Sequence, residues 1–129
     1  MENLGQASHA ELEIMKIIWQ SGNEITVGAL LDKLSAIDKS WKSSTVVTFL
    51  YRLTEKGLLK PVKKGRNNLY FATMTEAEFL ERQTQSFIAK NYGGSAKELV
   101  ASLMKQQRLT SQDMEELNKF WQEGGGVDE

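Results

Sequence analysis

Ser43-Ser44-Thr45-Val46-Val47-Thr48-Phe49-Leu50-Tyr51-Arg52-Leu53-Thr54-Glu55-Lys56-Gly57 carries two opposed faces when wound as a helix. Val46, Phe49, Leu50 and Leu53 recur at i, i+3, i+4 and i+7, so they predict a core-facing stripe. At about 100° per residue, Ser44, Val47, Thr48 and Tyr51 then point away from the core, flanked by Thr45 and Arg52. An ordinary solvent face would carry Glu and Lys. Serine and threonine weaken a helix because their hydroxyls compete for its backbone, so helix stability does not account for them here. Lys56-Gly57 supplies a cationic last turn and a glycine stop.

Downstream of Gly57 the pattern turns extended. Leu58–Val62 and 69–72 read as two strands of a hairpin, with 63–68 as a loop rich in glycine and asparagine. Pro61, the chain's one proline, cannot donate to a ladder and predicts an edge strand. Upstream, Ser8 and Glu11 form a capping-box pattern. Leu12, Met15, Ile18 and Trp19 follow at helical spacing, widened by Ile14 and Ile17, until Ser21-Gly22 ends the run. Glu24-Ile25 is a short extended link. Thr26 then caps a second helix with an inner stripe of Leu30, Leu31, Leu34 and Ile37. Three helices and a hairpin in about 65 residues are the order of a winged helix-turn-helix, with the helix from Ser43 in the recognition position.

Beyond Ala72 the chain predicts three more helices. Capping-box patterns at Thr75/Glu78 and Ser95/Glu98, and Thr110 with Asp113, open them. Their apolar residues include Phe79, Phe87, Leu99, Val100, Leu103, Met104, Met114, Leu117 and Trp121, with Leu80, Ile88 and Phe120 alongside. Helices this short cannot cover their own apolar faces and need a partner surface: the winged helix itself or, the reading taken, a second copy of the segment. The fold class expected is therefore mainly α with a small β-hairpin wing. The predicted division is 1–73 as a winged-helix DNA-binding domain, 74–124 as a three-helix dimerisation segment, and 125–129 as a tail.

Charge follows the same division. The 129 residues sum to −1, but the chain through Ala72 is net +3 and the remainder net −4. Between Lys39 and Arg66, eight cations face only Glu55, a local net charge of +7 that would draw a polyanion. In the expected docking, Ser44, Thr45, Val47 and Thr48 read base edges in a major groove. Hydroxyls serve either base type there, and threonine or valine methyls suit thymine. Lys42, Tyr51, Arg52, Lys60, Lys63, Lys64 and Arg66 form the phosphate-contacting set, which strengthens binding without reading sequence.

Composition narrows the alternatives. No cysteine is present, which leaves no disulfide framework, thiolate metal site or cysteine nucleophile. The single histidine, His9, falls in a first helical turn with no second ligand nearby, so neither metal nor cofactor is expected. Glu76, Glu78 and Glu81 lack a nucleophile, a phosphate loop or metal-ligand spacing beside them, and no catalysis is expected. No apolar run approaches 20 residues and no leader pattern is evident, so the expected location is cytoplasmic, without membrane insertion. Two other readings stay open: a ligand-sensing winged-helix regulator, marked by a cavity among the C-terminal helices, and a winged helix that binds protein.

Several of these stretches resemble the penicillinase and methicillin-resistance repressors, the BlaI/MecI family. Ala10-Glu11-Leu12-Glu13-Ile14-Met15-Lys16-Ile17-Ile18-Trp19 is similar to that family's opening helix. Thr45 through Lys60 is similar to its recognition helix and the start of its wing. Tyr92-Gly93-Gly94-Ser95, followed by Leu99-Val100 and later Glu115-Glu116-Leu117, is similar to its dimerisation region. The resemblance covers about residues 8–122 and implies a homodimeric winged-helix repressor of palindromic operator DNA. It also implies, for some members, inactivation through a membrane sensor protease system that leads to a cut within the helix matching Ser95–Gln106. Ser102 and Leu103 occupy the position of the asparagine–phenylalanine bond cut in staphylococcal members, and depart from that pattern. Copper-responsive relatives carry a C-terminal cysteine cluster, which this chain lacks.

Overall fold

Each helix begins where a side chain can close the backbone. In α1 (His9–Gln20), Ser8 Oγ accepts from Glu11 N–H while the Glu11 carboxylate accepts from Ser8 N–H, completing the predicted capping box. The Thr26 hydroxyl accepts from Ala29 N–H at the start of α2 (Val27–Ala36). The exception is α3 (Ser43–Glu55), which starts at Lys42 with no side-chain cap. It ends in a Schellman turn: Leu58 N–H donates to Leu53 O at 2.9 Å and Gly57 N–H to Thr54 O at 3.0 Å. Gly57 sits at φ +83°, a conformation costly for any residue with a Cβ. Leu53 and Leu58 are both fully buried at this junction, so the turn that ends the helix also sets the departure of the wing.

The computed structural model describes residues 7–125, and the chain divides into two compact units, the first ending at Ser86 and the second beginning at Phe87. In the first unit, β1 (Glu24–Thr26), β2 (Leu59–Lys64) and β3 (Asn67–Ala72) form an antiparallel sheet in the order β1-β3-β2. The link read as merely extended is thus a strand: Ile25 stands opposite Tyr70, and the hairpin's second strand is central. Pro61 lies on the edge strand, as expected. Helices α1, α2 and α3 bury Ile14, Met15, Ile18, Leu30, Leu34, Val46, Leu50 and Leu53 against one another and against Ile25, Leu59 and Tyr70 of the sheet.

The structure corrects three readings and qualifies a fourth. The hairpin ladder runs on to Lys64 opposite Asn67, so Lys63, Lys64, Asn67 and Asn68 are strand residues and only Gly65-Arg66 turns. Ile37 is the residue that ends α2 rather than part of its inner stripe, and it is exposed. Phe49 packs against the core as expected but is only half-buried, resting on Trp41 with ring centroids 5.5 Å apart. Phe79, assigned to a subunit interface, is fully buried in the first unit's core, 5.2 Å from the Trp19 ring. Trp19 Nε1 donates to Met74 O at 3.0 Å, which brings the entry of α4 (Glu76–Asn91) onto that core.

The division between the units falls within α4. In the second unit, α5 (Ala96–Lys105) and α6 (Ser111–Phe120) follow, with a π turn over Trp121–Gly125. Thr110 and Asp113 complete a capping box, whereas at Ser95 the hydroxyl accepts from Glu98 N–H and the reciprocal bond is not made among the described residues. The Phe87 and Tyr92 rings meet at a tilt with centroids 5.8 Å apart, and neither α5 nor α6 contains a buried residue. Residues 126–129 of the expected tail lie outside the described residues. Among the described residues, no helix is long and apolar enough to cross a membrane.

Candidate nucleic-acid interface

The face of α3 turned from the core is the predicted one. Ser44, Thr45, Val47, Thr48, Tyr51 and Arg52 are all exposed, while Val46, Leu50 and Leu53 are buried beneath them. Thr48 Oγ1 donates to Ser44 O at 3.0 Å. Its proton is therefore committed to the helix backbone, and outward it offers lone pairs and a methyl group. In this geometry the side chain is suited to accept from an amino group or to meet a methyl group. At the helix start, the first N–H groups have neither a side-chain acceptor nor an acid beside them, and Lys42 is adjacent, a combination favourable to a phosphate. One turn further on, the Arg52 guanidinium lies 6.0 Å from the centroid of Phe49, which rests on Trp41, so this cation is held by packing.

The structure divides the local +7 into paired and outward cations. Lys39 Nζ lies 3.2 Å from Glu13. Lys56 Nζ bonds the Glu11 carboxylate, whose side chain is only 2% exposed. Burial works to raise the Glu11 pKa, but the Lys56 ammonium and the Ser8 N–H outweigh it and hold the carboxyl below its ordinary 4.5. That ion pair ties the end of the outward-facing helix to the start of α1, and sequence spacing gives no sign of it. Lys42, Lys60, Lys63, Lys64 and Arg66 are all exposed and make no ion pair among the described residues. These five, with Tyr51 and Arg52, are the phosphate set expected from sequence, and the two cations left out of that set are the two with carboxylate partners.

In the second unit, Phe87, Val100, Met104, Met114, Leu117 and Trp121 are exposed, and Leu99 and Leu103 are half-buried. Phe120 is as exposed as Trp121, at 62%, and belongs with them; its helical phase beside Leu117 and Trp121 was the available signal. Ser102 and Leu103 are both half-buried in the middle of α5. Ser102 Oγ accepts from Gln106 Nε2 at 2.9 Å and from the Tyr92 hydroxyl at 3.4 Å. A hollow of about 290 Å³ in this unit is lined by Leu109, Asp113, Glu116 and Leu117, two carboxylates beside two leucines. No group of histidines, cysteines and carboxylates suited to a metal ion occurs among the described residues.

Comparison with known proteins agrees with this arrangement. A penicillinase repressor of Bacillus licheniformis is 31% identical over 95% of this chain and 94% of its own length. The methicillin resistance regulatory protein MecI of Staphylococcus aureus is 27% identical over 89% of this chain and 92% of its own. Among solved structures, the DNA-binding domain of the repressor BlaI matches with a TM-score of 0.53 at 36% identity, covering 60% of this chain and 93% of that one. The model of the penicillinase repressor family matches residues 7–123. This chain belongs to the penicillinase repressor family of DNA-binding transcriptional repressors.

Proposed function

We propose that the chain acts as a homodimer on a palindromic operator, each protomer laying α3 in a major groove. Ser44, Thr45, Val47 and Thr48 meet base edges there, and Lys42, Tyr51, Arg52, Lys60, Lys63, Lys64 and Arg66 meet phosphates. The observation that carries this reading is the exposed hydroxyl face of α3, free of acids until Glu55 at its last turn, beside a wing of outward-facing lysines. The outer face of α3 offers no Asn or Gln, and its Arg52 is held over Phe49, so strong bidentate base contacts are few. Specificity then depends on the spacing of two half-sites and on DNA shape as well as on direct contacts.

Dimerisation is assigned to the second unit. Helices of ten residues that bury nothing are too short to persist alone in water. A second copy, offering the same apolar residues about a twofold axis, would cover them. Release from the operator by a cut within α5, under a membrane sensor protease system, is the regulatory extension of this reading. The Ser102–Leu103 bond lies inside a helix, so a protease would need local unwinding to reach it.

The test is selection of duplexes from a random library by the full chain, followed by binding measurements over a range of salt. With about four phosphates neutralised per protomer, log K should fall against log[salt] with a slope of roughly −7. Equal affinity for the selected and a random duplex would refute sequence-specific binding.

A further inference from the structure

We infer that Trp41 is a positioning residue for DNA binding: by way of Phe49 it holds Arg52 away from Glu55 and ready for a phosphate. The inference rests on the DNA-binding reading and gives a part to a residue outside the DNA-contacting set. Trp41 lies in the connection between α2 and α3, immediately before Lys42, the residue at which α3 starts. An apolar side chain just before a helix commonly folds back over its first turns. Here it reaches Phe49, with ring centroids 5.5 Å apart and planes inclined at 55°. Both rings are half-buried and pack against the first unit's core, so each limits the rotamers open to the other.

Arg52 has two neighbours along the helix. Phe49 stands three positions before it and Glu55 three positions after, and a separation of three brings side chains side by side. The carboxylate would be the obvious partner for a cation. Instead the Arg52 guanidinium lies 6.0 Å from the centroid of Phe49, and neither Arg52 nor Glu55 makes an ion pair among the described residues. Two weak interactions compete here. An ion pair with the base N-terminal to the acid is the poorer order in a helix, and an exposed cation–π contact is of similar size. A ring held still tips that balance, because the arginine meets a surface already in place. The guanidinium is thereby directed toward the end of α3 that carries Lys42 and the uncapped first turn, where the helix presents positive charge to a phosphate.

Without Trp41, Phe49 loses the surface it rests on, and Arg52 exchanges among the ring, the Glu55 carboxylate and water. An arginine paired with Glu55 brings no net charge to the DNA, and one in water has to be ordered at the moment of binding. In both cases the phosphate contact weakens while Ser44, Thr45, Val47 and Thr48 still present the same groups to bases. The loss is then the same for every duplex. Trp41 acts on affinity and salt dependence, and leaves sequence preference alone.

The experiment measures binding of the full chain and its variants to a selected and a random duplex over a range of salt. Arg52→Ala should weaken binding to both duplexes about tenfold, as for a lost charge-assisted hydrogen bond, with a salt slope flatter by about one for each phosphate no longer neutralised. Trp41→Ala should reproduce most of both effects, and Trp41→Phe, which restores a ring, should recover most of the lost affinity. In the Arg52→Ala background, Trp41→Ala should cost less than about twofold more, since a residue that acts only through Arg52 has nothing further to lose. Glu55→Gln should help the Trp41→Ala chain more than it helps the unsubstituted one, by upwards of about twofold. A thermal unfolding scan establishes that each variant is folded at the temperature of measurement; Trp41→Leu, which keeps an apolar cover on the core, takes the place of Trp41→Ala if that chain does not fold. Three results would overturn the inference: Trp41 variants that bind like the unsubstituted chain, a full cost of Trp41 substitution persisting in Arg52→Ala, or equal help from Glu55→Gln in both chains. An unsubstituted chain that binds neither duplex would instead refute the DNA-binding reading itself.

Discussion

The first unit encloses a core of apolar residues and the second leaves most of its own in the open. Fifteen apolar side chains between Ile14 and Phe79 are buried among the helices and sheet of the first unit, while α5 and α6 bury none of theirs. Both regions show the same helical spacing of apolar residues, so periodicity alone does not distinguish a core from a surface awaiting a partner. The difference lies in what surrounds each helix. Around α3 stand α1, α2 and β2. Within the second unit there are only short helices and the end of α4, too few layers to enclose a core. A unit that is complete in itself suits an invariant task such as presenting a rigid helix to DNA. A unit that is incomplete suits a task that depends on a second molecule.

The strongest way to break this contrast is to charge the open surface. Leu117→Asp should yield monomers in sedimentation and weaken operator binding by roughly 10²–10⁴, since the second half-site is no longer held at high effective concentration. The first unit's thermal transition should stay where it was. A dimer that survives this change and Leu103→Asp would place the interface elsewhere. The converse substitution is Phe79→Ala, which should cost the first unit about 3–5 kcal/mol in denaturant unfolding, as for an aromatic side chain removed from a closed core. Little effect on the dimer at temperatures where the fold persists would confirm that Phe79 belongs to the core.

A smaller effect sharpens the picture inside the closed unit. Glu11→Gln removes the charged partner of Lys56 and should cost roughly 1–3 kcal/mol near neutral pH. Because the folded carboxyl is held below its ordinary value of 4.5, its contribution is fully present above that pH and disappears as pH falls through the lowered value. The stability gap between the two proteins should therefore close on acidification below about pH 4.5; a gap constant down to pH 2 would show that the ion pair does not contribute. The mildest changes concern the interface. Lys63→Ala should flatten the salt slope by about one, as expected when a single phosphate is no longer neutralised, and weaken all duplexes alike. Thr48→Val keeps the methyl group and removes the hydroxyl, so an unchanged operator preference would identify the methyl as the reading group.

Much of the first unit was legible because its signals are local. The stripe on α3, its outward hydroxyls, the capping box at Ser8 and the glycine stop at Gly57 all act within a few residues, so spacing in the chain is spacing in space. Pro61 announced its edge position for the same reason, since a missing N–H is a property of the residue itself. The hairpin was legible as a hairpin but not in its register, because asparagines mark turns and strand ends equally well. The ladder through Lys64–Asn67 is what shortened the loop to Gly65-Arg66.

What tertiary structure alone decided is non-local. The pairing of Glu24–Thr26 with β3, the Glu11–Lys56 ion pair across 45 positions and the lodging of Phe79 against Trp19 join residues whose separation no periodicity encodes. Chemical type fixed which residues could bind an anion. Folding determined which of them still could, since two of the eight cations between Lys39 and Arg66 meet carboxylates brought to them by α1. The physical reason is range: caps and amphipathic stripes are set by neighbours along the chain, whereas pairing and burial depend on which distant segments the closed core brings together.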